Sequence, residues 1–416
     1  MEDSKIKEEQ MEIKKNDTTI IHERKTDFYS VIVASISSLV FGMNLTSYAA
    51  LKDIYNAGAQ NVEAGMKFAM STAQWNYSQS LLNIGAMIGN ILTKFIIFLG
   101  DKNILIFNNI LFMIGYMCLL FGTSPLIIIV GRIVIGIGLG IISSVTPGYL
   151  SNIATKENKG IVSTCHQLFV MIGVLTGNII SYFCSSAGLW KFSVILQTLI
   201  IIGHFCASFY IIKVDKEGDE EGAGISELFS ENSAKLSILF AFALHIGQQL
   251  TGINGVIFAS DSIFENESNP KLYSMFVGVA ALIGVGMTMA VIDRFGRKLL
   301  ILVSLLGISL SLGFLGKDVH KIPSLFIFMI SFSIGMGPIP WFITNEIFPK
   351  RYVSAINMIS IPTNWFTSFL ITLSIDFLLK KLELKVFWIF SFLMVPLFLF
   401  ILFYFKETKG RNPEFQ

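Results

Sequence analysis

Charge is what this sequence has least of. Only 14% of its 416 residues are Asp, Glu, Lys or Arg, where a soluble domain carries roughly 25%. So little polar surface cannot coat a water-soluble globule of this length, and the outside of the fold is expected to face lipid. Neither sign dominates: the net charge is +2, which offers nucleic acid no footing as a partner. Cysteine is scarce as well. Cys118, Cys165, Cys184 and Cys206 fall in or beside apolar runs and lack metal-ligand spacing. They read as small apolar residues and exclude a disulfide framework. The first 28 residues are highly charged and contain no apolar stretch, so no leader peptide is expected and the first span serves as its own insertion signal. No nucleophile–base pair or metal-ligand cluster stands out, so neither an enzyme nor a cofactor or metal is expected.

What takes the place of charge is hydrocarbon. Hydrophobic residues make up 53% of the chain and aromatics 13%, with 37 Phe. A membrane-spanning helix needs about 20 consecutive apolar residues. Twelve runs meet that standard, near 29–50, 78–99, 104–122, 126–149, 163–183, 192–212, 236–258, 272–292, 299–316, 323–345, 353–379 and 386–405. Strands of a membrane barrel would be about 10 residues long with alternating polarity. These runs are longer and apolar all round, so helices are expected. Twelve crossings return both termini to one side. Counting Lys and Arg by loop parity gives 21 on that side and 9 on the other, with Arg132 inside a span completing the total of 31. The positive-inside rule then places both termini in the cytoplasm.

The expected fold class is an all-α membrane protein with twelve transmembrane helices in two pseudo-symmetric six-helix bundles. Bundle one covers 29–212 and bundle two 236–405, between cytoplasmic tails at 1–28 and 406–416. An acidic, Gly-rich linker at 213–235 separates them. An internal repeat supports the division. Span two ends in Phe98-Leu99-Gly100-Asp101-Lys102, and span eight in Arg294-Phe295-Gly296-Arg297-Lys298. A Gly-rich helix with proline follows each: Gly136, Gly138, Gly140 and Pro147 in span four, Gly335, Gly337 and Pro338 in span ten. Two such halves facing each other across a midplane cavity is a transporter plan.

Three blocks carry chemistry. Between spans eight and nine, Asp293, Arg294, Arg297 and Lys298 surround Gly296, which permits a tight turn, and Glu346 at the end of span ten offers the arginines an acidic partner. The bland reading is positive-inside anchoring. In span seven, Gln248, Gln249, Thr251 and Asn254 are costly in hydrocarbon unless they face partners or water. Amides both donate and accept, which suits hydroxyl-rich ligands better than ions; the bland reading is interhelical hydrogen bonding. Gly252 and Gly255 allow local unwinding there. In span ten, Gly335, Gly337, Pro338 and Pro340 make a hinge, because each proline removes a helix hydrogen bond. Trp341 beside it stacks either on a sugar face or on its neighbours. Gly-rich span four is read as a close-packing helix.

Taken in order these features amount to a match. The chain resembles the sugar porter family of the major facilitator superfamily from Phe41-Gly42 to Glu407-Thr408-Lys409-Gly410-Arg411. Further markers are Gly131-Arg132, Pro147-Gly148-Tyr149, Lys159-Gly160, His166-Gln167 and Asn364-Trp365. The resemblance implies the major facilitator fold and a central sugar site lined by Gln167, Gln248, Gln249, Asn254, Trp341 and Asn364. It also implies a gating and salt-bridge set of Arg132, Asp293, Arg294, Arg297 and Glu346.

Departures from the family pattern sharpen the expectation. Proton-coupled relatives usually carry an aspartate after the Phe-Gly of span one, whereas Phe41-Gly42-Met43 leads to Asn44, as in facilitative members. An amide has no titratable group near neutrality and cannot carry a proton. His166, His204 and His245 lie in apolar runs and are read as hydrogen-bonded structural residues, although His166 adjoins the site. Ala281, Ser333 and Ser368 stand where the family's span-eight asparagine, span-ten glutamate and second span-eleven asparagine are usual, and Phe258 and Ala259 where tyrosines often follow. The first half lacks the acidic and arginine latch, having Ile97, Asp101, Lys102 and Asn152 instead. The expected function is facilitative uniport of a hexose such as glucose by alternating access, in the plasma membrane, with sugar and lipid as partners. Its rivals are a proton-coupled symporter with an unconventional acid and a non-transporting sensor, against which the short tail at 406–416 argues. Sequons at Asn76 and Asn266 hug the membrane, so little glycosylation is expected.

Overall fold

The computed structural model describes residues 26–48, 51–57, 68–155, 158–184, 189–214, 222–263, 269–318 and 320–416. The tail before Thr26, the centre of the linker and the Asn266 sequon lie outside these, as do the side chains of Phe258 and Ala259. Among the described residues every regular element is helical. The first half contains α1 (Phe28–Thr46), a short α2 (Lys52–Ala57), α3 (Thr72–Ile96), α4 (Asp101–Phe121), α5 (Pro125–Ile153), α6 (Lys159–Cys184) and α7 (Trp190–Ser208). The linker carries α8 (Ile225–Ser230). The second half contains α9 (Lys235–Leu250), α10 (Ile253–Ile263), α11 (Pro270–Phe295), α12 (Arg297–Leu315), α13 (Lys321–Ile334), α14 (Ile339–Phe342), α15 (Thr344–Ile347), α16 (Lys350–Leu382) and α17 (Val386–Tyr404).

Among the described residues eleven stretches are long and apolar enough to cross a membrane, and the last, Lys350–Tyr404, is two helices joined by a turn at Glu383–Lys385. Twelve crossings result, and the protein is a multi-pass membrane protein. Helix starts follow capping chemistry. Asp27 accepts from Ser30 N ahead of α1, and Ser71 and Gln74 form a reciprocal capping box at α3. Left-handed glycines turn the chain at matched places in the two halves: Gly100 (φ 79°) between α3 and α4, and Gly296 (φ 82°) between α11 and α12.

The first apolar run behaves differently from its expectation, since helix α1 stops at Thr46. Beyond it Ser47 Oγ lies within hydrogen-bond reach of Met43 O at 2.7 Å and Gln197 Oε1 at 2.8 Å, and the Tyr48 ring stacks on Trp75 at 4.6 Å. Those tertiary contacts draw the chain off the helix axis.

Small residues let backbones meet within each half. A side chain at Gly140 of α5 would strike the Ala86 carbonyl of α3, and one at Gly42 of α1 would strike the Val170 carbonyl of α6. Gly-rich α5 is thus a packing helix. The halves touch along α3 with α16, α6 with α11 and α1 with α10. Thr26 accepts from Asn158 Nδ2 at 2.7 Å, Lys409 Nζ donates to Arg294 O at 2.9 Å, and Gly160 lies against the Asp293 carboxylate. Both described chain ends therefore sit at one end of the bundle, here called the tail face.

Candidate functional site

The seventh crossing is broken. Helix α9 ends at Leu250, Gly252 takes a left-handed turn (φ 79°), and α10 starts at Ile253. The break brings Gln249 and Asn254, five residues apart, into contact: Asn254 Nδ2 donates to Gln249 Oε1 at 2.6 Å. Gln249 Nε2 donates to Asn364 Oδ1 at 2.9 Å, and Asn364 Nδ2 donates to Gln248 Oε1 at 2.8 Å and to His245 O at 2.9 Å. Four of the six expected site residues thus form one buried amide chain.

The tenth crossing is broken too, between α13 and α14. In a continuous helix the Met336 carbonyl would bond the nitrogen of residue 340, but Pro340 has no N–H. Trp341 N turns instead to Pro338 O. Gln248 Nε2 fills the gap, donating to Met336 O and Gly337 O, both at 2.9 Å. The hinge and the amide chain are therefore one construction.

Trp341 lies just past this hinge, between the halves. Its ring meets His166 of α6 at 6.0 Å, His245 of α9 at 5.8 Å and Trp365 of α16 at 6.4 Å. Trp365 in turn meets Phe41 of α1 and donates to Ser143 Oγ of α5 at 3.2 Å. His166 pairs with Ser38 at 2.8 Å. Among the described residues both ring nitrogens of His245 lack a partner, so the structural reading holds for His166 and not for His245. Gln167 is 4% exposed and its amide lies beside Gly337. Among the described residues that amide meets no hydrogen-bond partner, which leaves it available to a ligand.

Three residues outside the expected set join the chain. Asn254 Nδ2 also donates to Ser368 Oγ at 2.6 Å, and Ser368 Oγ donates to Asn83 Oδ1 of α3 at 3.0 Å. Asn83 Nδ2 reaches Thr372 Oγ1 at 3.3 Å. The sequence signal for Asn83 was an amide inside an apolar span. Ser368, which stands where the family's second span-eleven asparagine is usual, supplies its hydroxyl to the chain. Ala281 and Ser333 are buried in the second half, and the Ser333 hydroxyl has no partner.

Arg132 stands apart from both the site and any ion pair. It is fully buried, with Nε on Ser78 O at 3.3 Å, Nη2 on Gln79 Oε1 at 3.2 Å and the Tyr48 ring 4.1 Å from its guanidinium carbon. Nη1 has no partner, and no carboxylate pairs with Arg132 among the described residues. Its expected salt bridge is replaced by neutral acceptors and an aromatic face, the latter a cation–π contact. Asn44 nearby donates to Val40 O, and Tyr116 OH lies 3.1 Å from Asn44 Oδ1 and 2.8 Å from Gln197 Oε1, the two acceptors within reach of its one proton.

At the tail face Arg297 holds Glu346 with a fork of bonds, Nη2–Oε1 at 2.8 Å and Nε–Oε2 at 3.0 Å, and Asp293 lies 3.5 Å from Nη1. Thr408 Oγ1 donates to Glu346 Oε2 at 2.6 Å. Arg294 is not part of this network: its side chain is exposed and lies over Phe295. Glu407, which the sequence marked only as part of a motif, caps α12. Its carboxylate accepts from the backbone nitrogens of Arg297 (2.8 Å), Lys298 (2.9 Å), Thr408 (3.0 Å) and Lys409 (2.9 Å). Burial alone would raise the Glu407 pKa, but these four donors outweigh it and hold the carboxyl below its ordinary range. All these partners belong to the second half. The Asp293–Gly160 contact carries this cluster across to the first half.

With the geometry in place, comparison with known proteins is informative. The sequence matches the family described as sugar (and other) transporter over residues 30–213 and 210–415. Solute carrier family 2, facilitated glucose transporter member 2 of Sus scrofa is 28% identical over 404 residues, covering 82% of this chain and 76% of that protein. Sugar transporter ERD6-like 6 of Arabidopsis thaliana is 27% identical over 399 residues, covering 83% and 82%. Among solved structures, the proton:xylose symporter XylE bound to 6-bromo-6-deoxy-D-glucose has a TM-score of 0.77 at 18% identity, covering 92% of this chain and 97% of that one. The inward-open xylose transporter XylE from E. coli scores 0.75 at 18% identity, covering 92% and 98%. The family match over almost the whole described chain agrees with the twelve crossings and the two broken helices, and the chain belongs to the sugar porter family of the major facilitator superfamily.

Proposed function

We propose that this protein is a facilitative uniporter of a hexose such as glucose, working by alternating access with both termini in the cytoplasm. The observation that carries the proposal is the buried amide chain of Gln248, Asn364, Gln249 and Asn254, with the unpartnered Gln167 amide beside it. Amides on two broken helices match a ligand of vicinal hydroxyls, each needing a donor and an acceptor. Trp341 supplies an apolar face for the sugar ring. Gln167 is on the first half and the others on the second, so a sugar held between them is passed as the halves rock around it. Relatives named as facilitated glucose transporters support the substrate class. Asn44 supports uniport, because the position offers an amide where a coupled carrier needs an acid.

A proton-coupled reading has one observation in its favour. The centre holds two buried histidines, His166 and His245, on either side of Trp341. Counterflow in proteoliposomes with a panel of labelled sugars tests the substrate class, and net uptake with and without a protonophore across a pH step separates the readings. Uniport is expected to equilibrate a hexose without concentrating it and to ignore the protonophore. Accumulation that the protonophore abolishes would establish coupling, and no counterflow with any hexose would refute the substrate class.

A further inference from the structure

We propose that Asn83 of α3 is a positioning residue that couples occupancy of the site to the packing between the halves. The inference rests on the sugar-transport reading above. The amide chain does not stop at the site. At one end Gln248 holds the Met336 and Gly337 carbonyls that the hinge leaves without helical donors. At the other, Asn254 reaches Ser368, and Ser368 passes its one proton to Asn83. Asn83 belongs to the first half and Ser368 to the second, 285 residues apart in sequence. Both are buried, at 1% and 0% exposure, so neither has water as an alternative partner. The link is thus a hydrogen-bonded path from the hinge, through the ligand-facing amides, to the other half of the molecule.

Asn254 spends both N–H bonds of its amide within the chain, so a sugar hydroxyl can draw a donor from Asn254 only by taking one from its neighbours. Asn254 Nδ2 is shared between Gln249 Oε1 and Ser368 Oγ, so a ligand oxygen that draws it inward removes the donor that fixes the Ser368 hydroxyl. The Ser368–Asn83 bond then loses its orientation, and the longer Asn83–Thr372 bond at 3.3 Å is left as the remaining polar tie of Asn83 to α16. The empty carrier holds the tie and the loaded carrier loosens it. That difference between two states of one protein is what coupling requires. Rocking moves α3 against α16, so the tie slows reorientation of the empty carrier more than that of the loaded one.

The test is Asn83→Ala in proteoliposomes, compared with wild type for labelled hexose exchange and for net uptake into empty vesicles. Net uptake needs the empty carrier to return; exchange does not. Losing the tie is expected to lower the exchange-to-net ratio about threefold, within the roughly 2- to 13-fold range of one hydrogen bond. The half-saturating sugar concentration for exchange is expected to fall by about the same factor, since binding no longer has to loosen the tie. Ser368→Ala is expected to lower the ratio likewise, and the double variant no further, because both changes break one path. A merely structural role would reduce exchange and net uptake together. An unchanged ratio in the variants, or additive effects in the double variant, overturns the proposal while wild-type counterflow stands. Absence of hexose counterflow in wild type overturns the sugar reading, and this proposal with it.

Discussion

Truncating Gln249 to alanine tests the amide chain at its centre. Gln249 donates to Asn364 Oδ1 at 2.9 Å and accepts from Asn254 Nδ2 at 2.6 Å. Asn254 keeps Ser368 after truncation, but Asn364 Oδ1, in a fully buried residue, loses its donor. One orphaned buried acceptor costs about 1–3 kcal/mol, and the empty protein should lose about that much stability. The ligand loses a contact of the same order, so the half-saturating concentration should rise roughly 5- to 150-fold. The maximal rate should change little, because Gln249 does not touch the hinge carbonyls. Gln248→Ala is the contrasting variant. It frees Met336 O and Gly337 O, and is expected to lower the maximal rate as well. Concentration-dependent hexose uptake at matched protein content gives both parameters, with thermal unfolding measured alongside. If Gln249→Ala shifts unfolding but leaves half-saturation at the wild-type value, the amides only hold the fold and the site assignment is wrong.

Three further outcomes are expected. Glu346→Gln should cost about 1–2 kcal/mol, because the Arg297 side chain is only 11% exposed and keeps Asp293 alone as a charged partner; with Thr408→Val the loss in thermal stability should be less than additive, and full additivity would separate Thr408 from the pair. Glu407 has a depressed pKa, so its cap contributes stability at neutral pH that is lost as pH falls through the folded value, below the ordinary carboxylate range; Glu407→Gln should flatten that acid limb of the unfolding-temperature profile, and an unchanged limb would mean the cap contributes nothing. Asn44→Asp should give hexose uptake a pH dependence without concentrative transport, since the other groups of a symporter are not supplied; accumulation above the external level would contradict this.

Much of the architecture was legible because lipid simplifies the problem. Backbone polar groups in hydrocarbon must be satisfied locally, so long apolar runs such as 126–149 or 386–405 leave helix as the one outcome. The paired turns were legible for a similar reason: a left-handed residue between two helices calls for glycine, at Gly100 and at Gly296 alike. Pro340 announced the second hinge because a missing N–H is a covalent fact, and Gln248 and Gln249 announced a polar centre because amides in a span need partners. Which partners they took was not legible. That Gln248 serves the carbonyl Pro340 abandons, that Ser368 meets Asn83, and that Glu407 caps a helix 110 residues upstream all depend on how rigid helices pack. So do the exclusion of Arg294 from the ion-pair network and the tyrosine face that takes the place of a carboxylate beside Arg132. Apart from the early end of α1, spans, turns and breaks were determined by the sequence alone, because each rests on neighbours within a turn of helix or on the surrounding lipid. The pairings were decided only by the tertiary structure, because a hydrogen bond or ion pair is satisfied by whichever group the folded bundle brings within about 3 Å.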